Sequence, residues 1–345
     1  MNTAPHRYAG STGPGTPENA YSVVVPTVGR DCLAECLWAL GLSGGPPPRE
    51  VVVVDDRPDP AGPLVPEAPG PLSERTRVLT SGGRGPAAAR NTGLRAVDTP
   101  WVVFLDDDVR VRPDWPRLLS ADLAAADPAV GGVQGRLQVP LPEGRRPTDW
   151  ERGTAGLEEA AWATADMAYR TETLREVGGF DERFTRAFRE DADLALRVLA
   201  AGWSLRRGER VTDHPVRRAD RWASLRAQRG NADDVLMGRL HGRDWWSRAR
   251  APRGRLPRHL VVTATALATV LLGLTGRRTA AAVSAAVWAA GTAEFAGARI
   301  APGPRTRQEV ATMVCTSVVI PPAAVGHWLA GLVRHRDVTA WQGAG

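Results

Sequence analysis

WVVFLDDDVRV, residues 101–111, runs five largely apolar residues straight into three consecutive carboxylates. A short apolar run with β-branched residues reads as a buried strand, so the carboxylates fall at its C-terminal end. Adjacent like charges repel one another, and any that are partly desolvated cost several kcal/mol unless an opposite charge is near. Asp106, Asp107 and Asp108 therefore ask for a cation, supplied either by the chain or from solution.

Outward from this stretch the same grammar repeats. YSVVVP (21–26), EVVVVDD (50–56) and TRVLT (76–80) are short β-branched runs, each followed by turn residues or by a helical pattern. RDCLAECLWALG (30–41) and PAAARNTGLRAV (86–97) repeat apolar residues at helical spacing between them. Strand and helix alternate, which predicts an α/β fold with a parallel, doubly wound sheet and right-handed crossovers. In such sheets ligands gather beyond the carboxyl ends of the strands. Asp55, Asp56 and Asp106 to Asp108 all lie there. The Pro-rich stretch 57–73 reads as a surface excursion, 113–127 as a helix and 130–140 as a strand. A Pro, Gly and Arg loop near 140–150 is expected to be mobile. ADMAYR (165–170) predicts a strand, TETLREVGGF (171–180) a short helix stopped by glycine, and EDADLALRVLAAG (190–202) an amphipathic helix.

Composition bounds the function. The 345 residues are 43% hydrophobic and 24% charged, the balance of a globular chain. There is no lysine, so all 44 basic residues are arginine, and against 38 acidic residues they leave a net charge of +6. That surplus suits nucleic acid, anionic lipid or a phosphorylated substrate without choosing among them. No nucleic-acid module is recognisable, and no nucleic-acid partner is expected. Cys32, Cys36 and Cys315 are too few for a disulfide framework or a zinc site and read as core thiols in a reducing compartment. Residues 1–20 read as a flexible leader without an apolar targeting core.

After His214 the character changes. Residues 219–258 are amphipathic and then basic, with Trp245 and Trp246 among the arginines, a pattern suited to an anionic membrane surface or to a soluble Arg-rich linker. Apolar segments follow at 260–276, 279–298 and 310–333, within a region 259–335 expected to associate with the membrane, before a tail at 336–345. Glu294 dilutes the second segment. Arg277 and Arg278 sit between the first two and conflict with a simple spanning hairpin under the positive-inside rule, so a re-entrant or interfacial hairpin stays open beside a transmembrane one.

In order along the chain, VVVPTVGR (23–30), VVVVDD (51–56), GRGPAAARNTGL (83–94), FLDDDV (104–109), ADMAYR (165–170), GGFDERF (178–184), REDADLALR (189–197) and His214-Pro215 resemble the family 2 glycosyltransferases of GT-A fold. The resemblance implies a Rossmann-like, mostly parallel doubly wound catalytic domain over residues 21–218, acting on a nucleoside-diphosphate sugar at the cytoplasmic face of the cell membrane. It assigns Asp106 and Asp108, the D-x-D pair, to ribose and a divalent metal, Mg2+ or Mn2+, with His214 as third ligand. Asp191 becomes the general base and Glu190 an acceptor-side or orienting partner. Pro26, Thr27, Arg30, Asp55, Asp56, Arg90, Asn91, Asp106, Asp107 and Asp166 would line the donor, with Asp166 either holding a sugar hydroxyl or capping a strand end. Phe180 would pack beneath the site, and Asp181 would orient the catalytic helix.

Taken without the resemblance, each of these has a plainer explanation. An acidic loop can simply be solvated, and acidic residues in a first helical turn are stabilised by the helix dipole. Asp55 and Asp56 suit turn chemistry, and a histidine before proline is an ordinary loop residue. The Q-x-x-R-W motif of processive polysaccharide synthases is replaced here by RAQRGNADD (226–234), which favours single transfer to a glycan, lipid-linked saccharide or metabolite. A sugar nucleotidyltransferase should show a Gly-rich basic signature after the first strand, and VPTVGRDCL (25–33) has none. A non-catalytic membrane-associated scaffold, the remaining alternative, leaves the acidic cluster unexplained.

Overall fold

The β-branched runs become strands β1 (Tyr21–Thr27), β2 (Val51–Asp55), β3 (Thr76–Thr80) and β4 (Trp101–Leu105) in the computed structural model, which describes residues 20–342. Apart from Ala20, the expected leader lies outside the described residues. β1 pairs in parallel with β2 and β4, and β2 with β3. β2 and β4 are buried at every position, as strands covered on both faces must be. Four more strands extend the sheet: β5 (Arg110–Val111), β6 (Val130–Gln138), β7 (Asp166–Arg170) and β8 (Ser204–Asp213). The order is β3-β2-β1-β4-β7-β6-β8-β5.

Beyond β4 the sheet changes sense. β7 runs antiparallel to β4 and to β6, and β5 antiparallel to β8, so a parallel half joins an antiparallel half in one mixed sheet. β5 and β8 were not foreseen. β5 is two residues long, and SLRRGERVTD in β8 breaks the apolar alternation with arginines. Gly93 explains how the Pro86–Ala96 helix comes close to β1: a Cβ there would meet Val24 Cγ1 at 2.3 Å. The absence of that atom lets the helix lie directly on the strand.

The described residues fall into two compact units, one of residues 20–137 and 162–214, the other of residues 138–161 and 215–342. Within the second, the stretch expected to be a loop is free of helix and strand from residue 139 to residue 148, and the helix Asp149–Ala155 follows it. Thr148 and Glu151 close a reciprocal capping box at its start, satisfying N–H groups that would otherwise be orphaned. The apolar segments form the helices Leu256–Leu274, Arg278–Ile300 and Arg307–Arg334. Among the described residues the first and third are long and apolar enough to cross a membrane. Arg299 ties this unit together: its guanidinium is 2.8 Å from Asp149 Oδ2 and donates to Thr316 Oγ1 at 2.7 Å. Of the three cysteines only Cys36 is a buried core thiol; Cys32 is half-buried and Cys315 exposed.

Candidate active site

The C-terminal ends of β1, β2 and β4 deliver Thr27, Asp55 with Asp56, and Asp106 to Asp108 to one edge of the sheet. There the three consecutive carboxylates take different partners. Asp107 turns inward, is 2% exposed, and accepts from Thr27 Oγ1 at 2.6 Å and Arg30 Nη1 at 2.7 Å. Thr27 and Arg30 are thus the chain's own answer to the middle charge. Asp106 accepts from Arg90 Nη2 at 2.7 Å. Asp108 faces His214, whose Nε2 lies 3.6 Å from Asp108 Oδ1.

His214 arrives through the unforeseen strands. β5 pairs with β8 so that Arg110 faces Asp213 and Val111 faces Thr212, and one residue further His214 comes abreast of the end of the acidic run. Ligand-capable atoms of Asp106, Asp108 and His214 lie within 4.8 Å of one another. The 3.6 Å separation is too long for a hydrogen bond, and the buried Nδ1 of His214 has no hydrogen-bond partner among the described residues. Two carboxylates and an imidazole gathered at that spacing fit a hard divalent ion with mixed oxygen and nitrogen ligands.

Arg90 connects this cluster to the acidic helix. It is 2% exposed on the Pro86–Ala96 helix, and Nη1 donates to Glu190 Oε1 at 2.8 Å while Nη2 holds Asp106. Its guanidinium lies 5.6 Å from the Phe180 ring, which packs edge-on against Phe104. Glu190 and Asp191 begin the Glu190–Ala200 helix directly after Arg189, which adopts a left-handed φ of 76°. That conformation costs a non-glycine residue energy and persists because its surroundings hold it. Glu190 is buried, and that burial, with the neighbouring Asp191 charge, pushes its carboxyl up to about 8 against the pull of Arg90. Asp191 is half-buried, accepts from the Ala192 N–H at 2.7 Å, and is also shifted upward by burial. The two carboxyls cannot easily ionise together.

Several residues expected to line the donor are used by the fold. Asp166 is fully buried: Trp115 Nε1 and Thr212 Oγ1 donate to Oδ2 at 2.8 and 2.6 Å, and Arg210 Nε donates to Oδ1 at 2.8 Å. A Cβ on Gly135 would meet Asp166 Oδ2 at 2.2 Å, so the carboxylate fills the space that glycine leaves. Of the two open readings, the sugar-binding one is corrected: Asp166 is an internal anchor. Asn91 pairs with the Phe180 backbone, donating to its carbonyl and accepting from its N–H, both at 2.8 Å, and so pins a turn rather than a phosphate. Asp56 accepts from Ser81 Oγ and from the N–H groups of Arg84 and Gly85, which fixes the glycine turn before the Pro86–Ala96 helix. Asp55 carries Arg57, whose hydrogen bonds hold its carboxyl below the usual range. Arg57 was overlooked, although it stands beside Asp56 in the sequence. Arg90 likewise bridges two carboxylates instead of standing open to a phosphate. Asp181 is taken by Arg183, whose hydrogen bonds, with the charge of Arg197 on the Glu190–Ala200 helix, hold its carboxyl below the usual range against the pull of burial. Pro26 is half-buried in β1, in register with Val54.

Residues 22–193 match the model of glycosyl transferase family 2. Pre-mycofactocin glycosyltransferases from two strains of Mycobacterium tuberculosis are each 38% identical over 137 residues, covering 36% of this chain and 28% of the relative. The chain therefore matches less than a third of the length of these curated relatives. A mannosyltransferase from Pyrobaculum calidifontis, solved in complex with GDP-Man and Mn2+, is similar at 20% identity over 95% of this chain and 90% of that one, with a TM-score of 0.49. A glucosyl-3-phosphoglycerate synthase from Mycobacterium tuberculosis, solved with phosphoglyceric acid, is similar at 15% identity over 72% and 88%, with a TM-score of 0.42.

Proposed function

Residues 22–193 belong to glycosyl transferase family 2, and from that premise we propose that the chain moves a sugar from a nucleoside-diphosphate sugar to an acceptor hydroxyl by a single inverting displacement. The observation that carries this reading is the convergence of Asp106, Asp108 and His214 at the strand ends, tied through Arg90 to the helix that begins with Glu190 and Asp191. Asp106, Asp108 and His214 would hold Mn2+ or Mg2+, which when bound supplies positive charge to a leaving diphosphate.

The chain's own groups do the rest. Asp191 accepts the proton of the attacking hydroxyl, and its burial-raised basicity suits that role. Glu190, fixed by Arg90, stands beside the base as its orienting partner. Arg90 holds Asp106 and Glu190 in one geometry, so that the donor side and the base share a rigid support. The acceptor is a glycan, a lipid-linked saccharide or a metabolite, and the exposed apolar helix Leu256–Leu274 of the second unit supports attachment to a membrane, at whose cytoplasmic face the chain acts in this reading. Titration calorimetry of UDP, GDP and dTDP into the detergent-solubilised chain, with Mn2+ and with EDTA, tests the reading. One nucleotide is expected to bind tightly and only with metal. A folded protein that binds none of the three would overturn it.

A further inference from the structure

Beyond attachment in general, we infer that Leu256–Leu274, apolar enough to cross a lipid bilayer by itself, and the less apolar, Ala-rich Arg278–Ile300 packed along it cross together as a hairpin, with the turn at Gly276 to Arg278 emerging on the far side from the hairpin's base. The inference rests on the membrane association proposed above and specifies its geometry.

The buried residues of these helices are confined to one end. His259 and Val262 are buried on the first, and Phe295, Ala296 and Arg299 on the second. Between Val262 and Phe295 no residue is buried, Gly291 of the second helix lies against Val262 of the first, and both helices also pack against Arg307–Arg334. Along that length Leu267, Leu271, Leu274 and Val283 are 60, 62, 80 and 61% exposed. A continuous apolar surface of this kind marks a lipid or protein contact.

The charges choose lipid. No charged residue lies between Arg258 and Arg277, or between Arg278 and Glu294. At ~1.5 Å per residue these gaps of 277 − 258 = 19 and 294 − 278 = 16 positions span roughly 28 and 24 Å. The hydrocarbon core of a bilayer is about 30 Å thick, and arginine stems reach a few ångströms further. Charges therefore meet the headgroups at both ends. At the base, Glu294 pairs with Arg255 and, at 3.2 Å, with Arg258, so the acid expected to spoil the second segment sits at its edge and is neutralised. Six arginines between residues 243 and 258 outnumber the two at the tip, which sets the base on the cytoplasmic side.

The other long apolar helix behaves differently. In Arg307–Arg334 the apolar window is 39% buried against 11% in Leu256–Leu274. Its Thr316 and Ser317 hydroxyls receive Arg299, and its Gly331 lies against Ala232 of the Asn231–His241 helix. It belongs to the body of its unit.

The test inserts a protease recognition site between Gly276 and Arg277 in the full chain, expressed in bacterial cells, with protease added to spheroplasts, inside-out vesicles and detergent extract. Cleavage in detergent and in spheroplasts, but not in inside-out vesicles, is the expected result. Cleavage in inside-out vesicles alone, or in neither membrane preparation while detergent permits it, would show a hairpin that enters without crossing and would overturn the proposal. Recovery of the chain in the soluble fraction would defeat the underlying membrane association, and a soluble oligomer would assign the apolar face to a second copy.

Discussion

Asp166→Asn separates an anchor in the core from a ligand at the donor site. In the wild type its two oxygens accept three donors, and Arg210 beside it is 0% exposed. An asparagine offers one acceptor oxygen and one donor group, so either Arg210 or the pair Trp115 and Thr212 faces an N–H where it met an oxygen. Arginine cannot shed its charge to escape. Breaking a buried ion pair by altering one partner costs about 3–5 kcal/mol. Asp122 stays 3.1 Å from Arg210 and the Val133 carbonyl stays bonded to it, so the lower end, about 3 kcal/mol, is expected. For a unit of this size that is a fall in Tm of about 6–12 °C. Thermal unfolding of the two proteins in the same detergent measures it. Nucleotide binding, measured below both transitions, should stay within about twofold, since nothing of Asp166 reaches the surface. A Tm change under about 2 °C together with a tenfold loss of nucleotide affinity would refute the burial argument and return Asp166 to the donor site.

Asp191→Asn is expected to leave nucleotide affinity nearly intact and to lower the transfer rate by roughly 10²–10⁴, read by single-turnover assay; equal loss of both would remove it as base. Asp108→Ala should abolish the difference in nucleotide affinity between Mn2+ and EDTA, and an unchanged metal response would count against the ligand set. Glu190 binds its proton more tightly folded than unfolded, so metal-free protein should lose stability as pH rises from about 4.5 to about 8, and the Glu190→Gln protein should show a flatter Tm profile over that window. Gly135→Ala places a methyl 2.2 Å from Asp166 Oδ2 and should cost about 1–3 kcal/mol by overpacking, seen as a lower Tm.

The sequence by itself determined the parallel half of the sheet, because β1 to β4 are β-branched runs whose burial is written in consecutive residues. It also placed Asp55, Asp56 and the 106–108 run at strand ends, and set Glu190 and Asp191 at the start of a helix, since each of these is local. The tertiary structure decided what each carboxylate does. Asp107, Asp56 and Asp166 look like Asp106 and Asp108 in one dimension, and only the packing shows that the former are saturated by partners inside the fold. His214 reaches Asp108 through the pairing of β5 with β8, a contact about a hundred residues apart in sequence that no local periodicity encodes. The same holds at the other end of the chain. Hydropathy marks three apolar segments without ranking them, whereas packing buries one side of Arg307–Arg334 and leaves the hairpin before it with buried residues at its base alone.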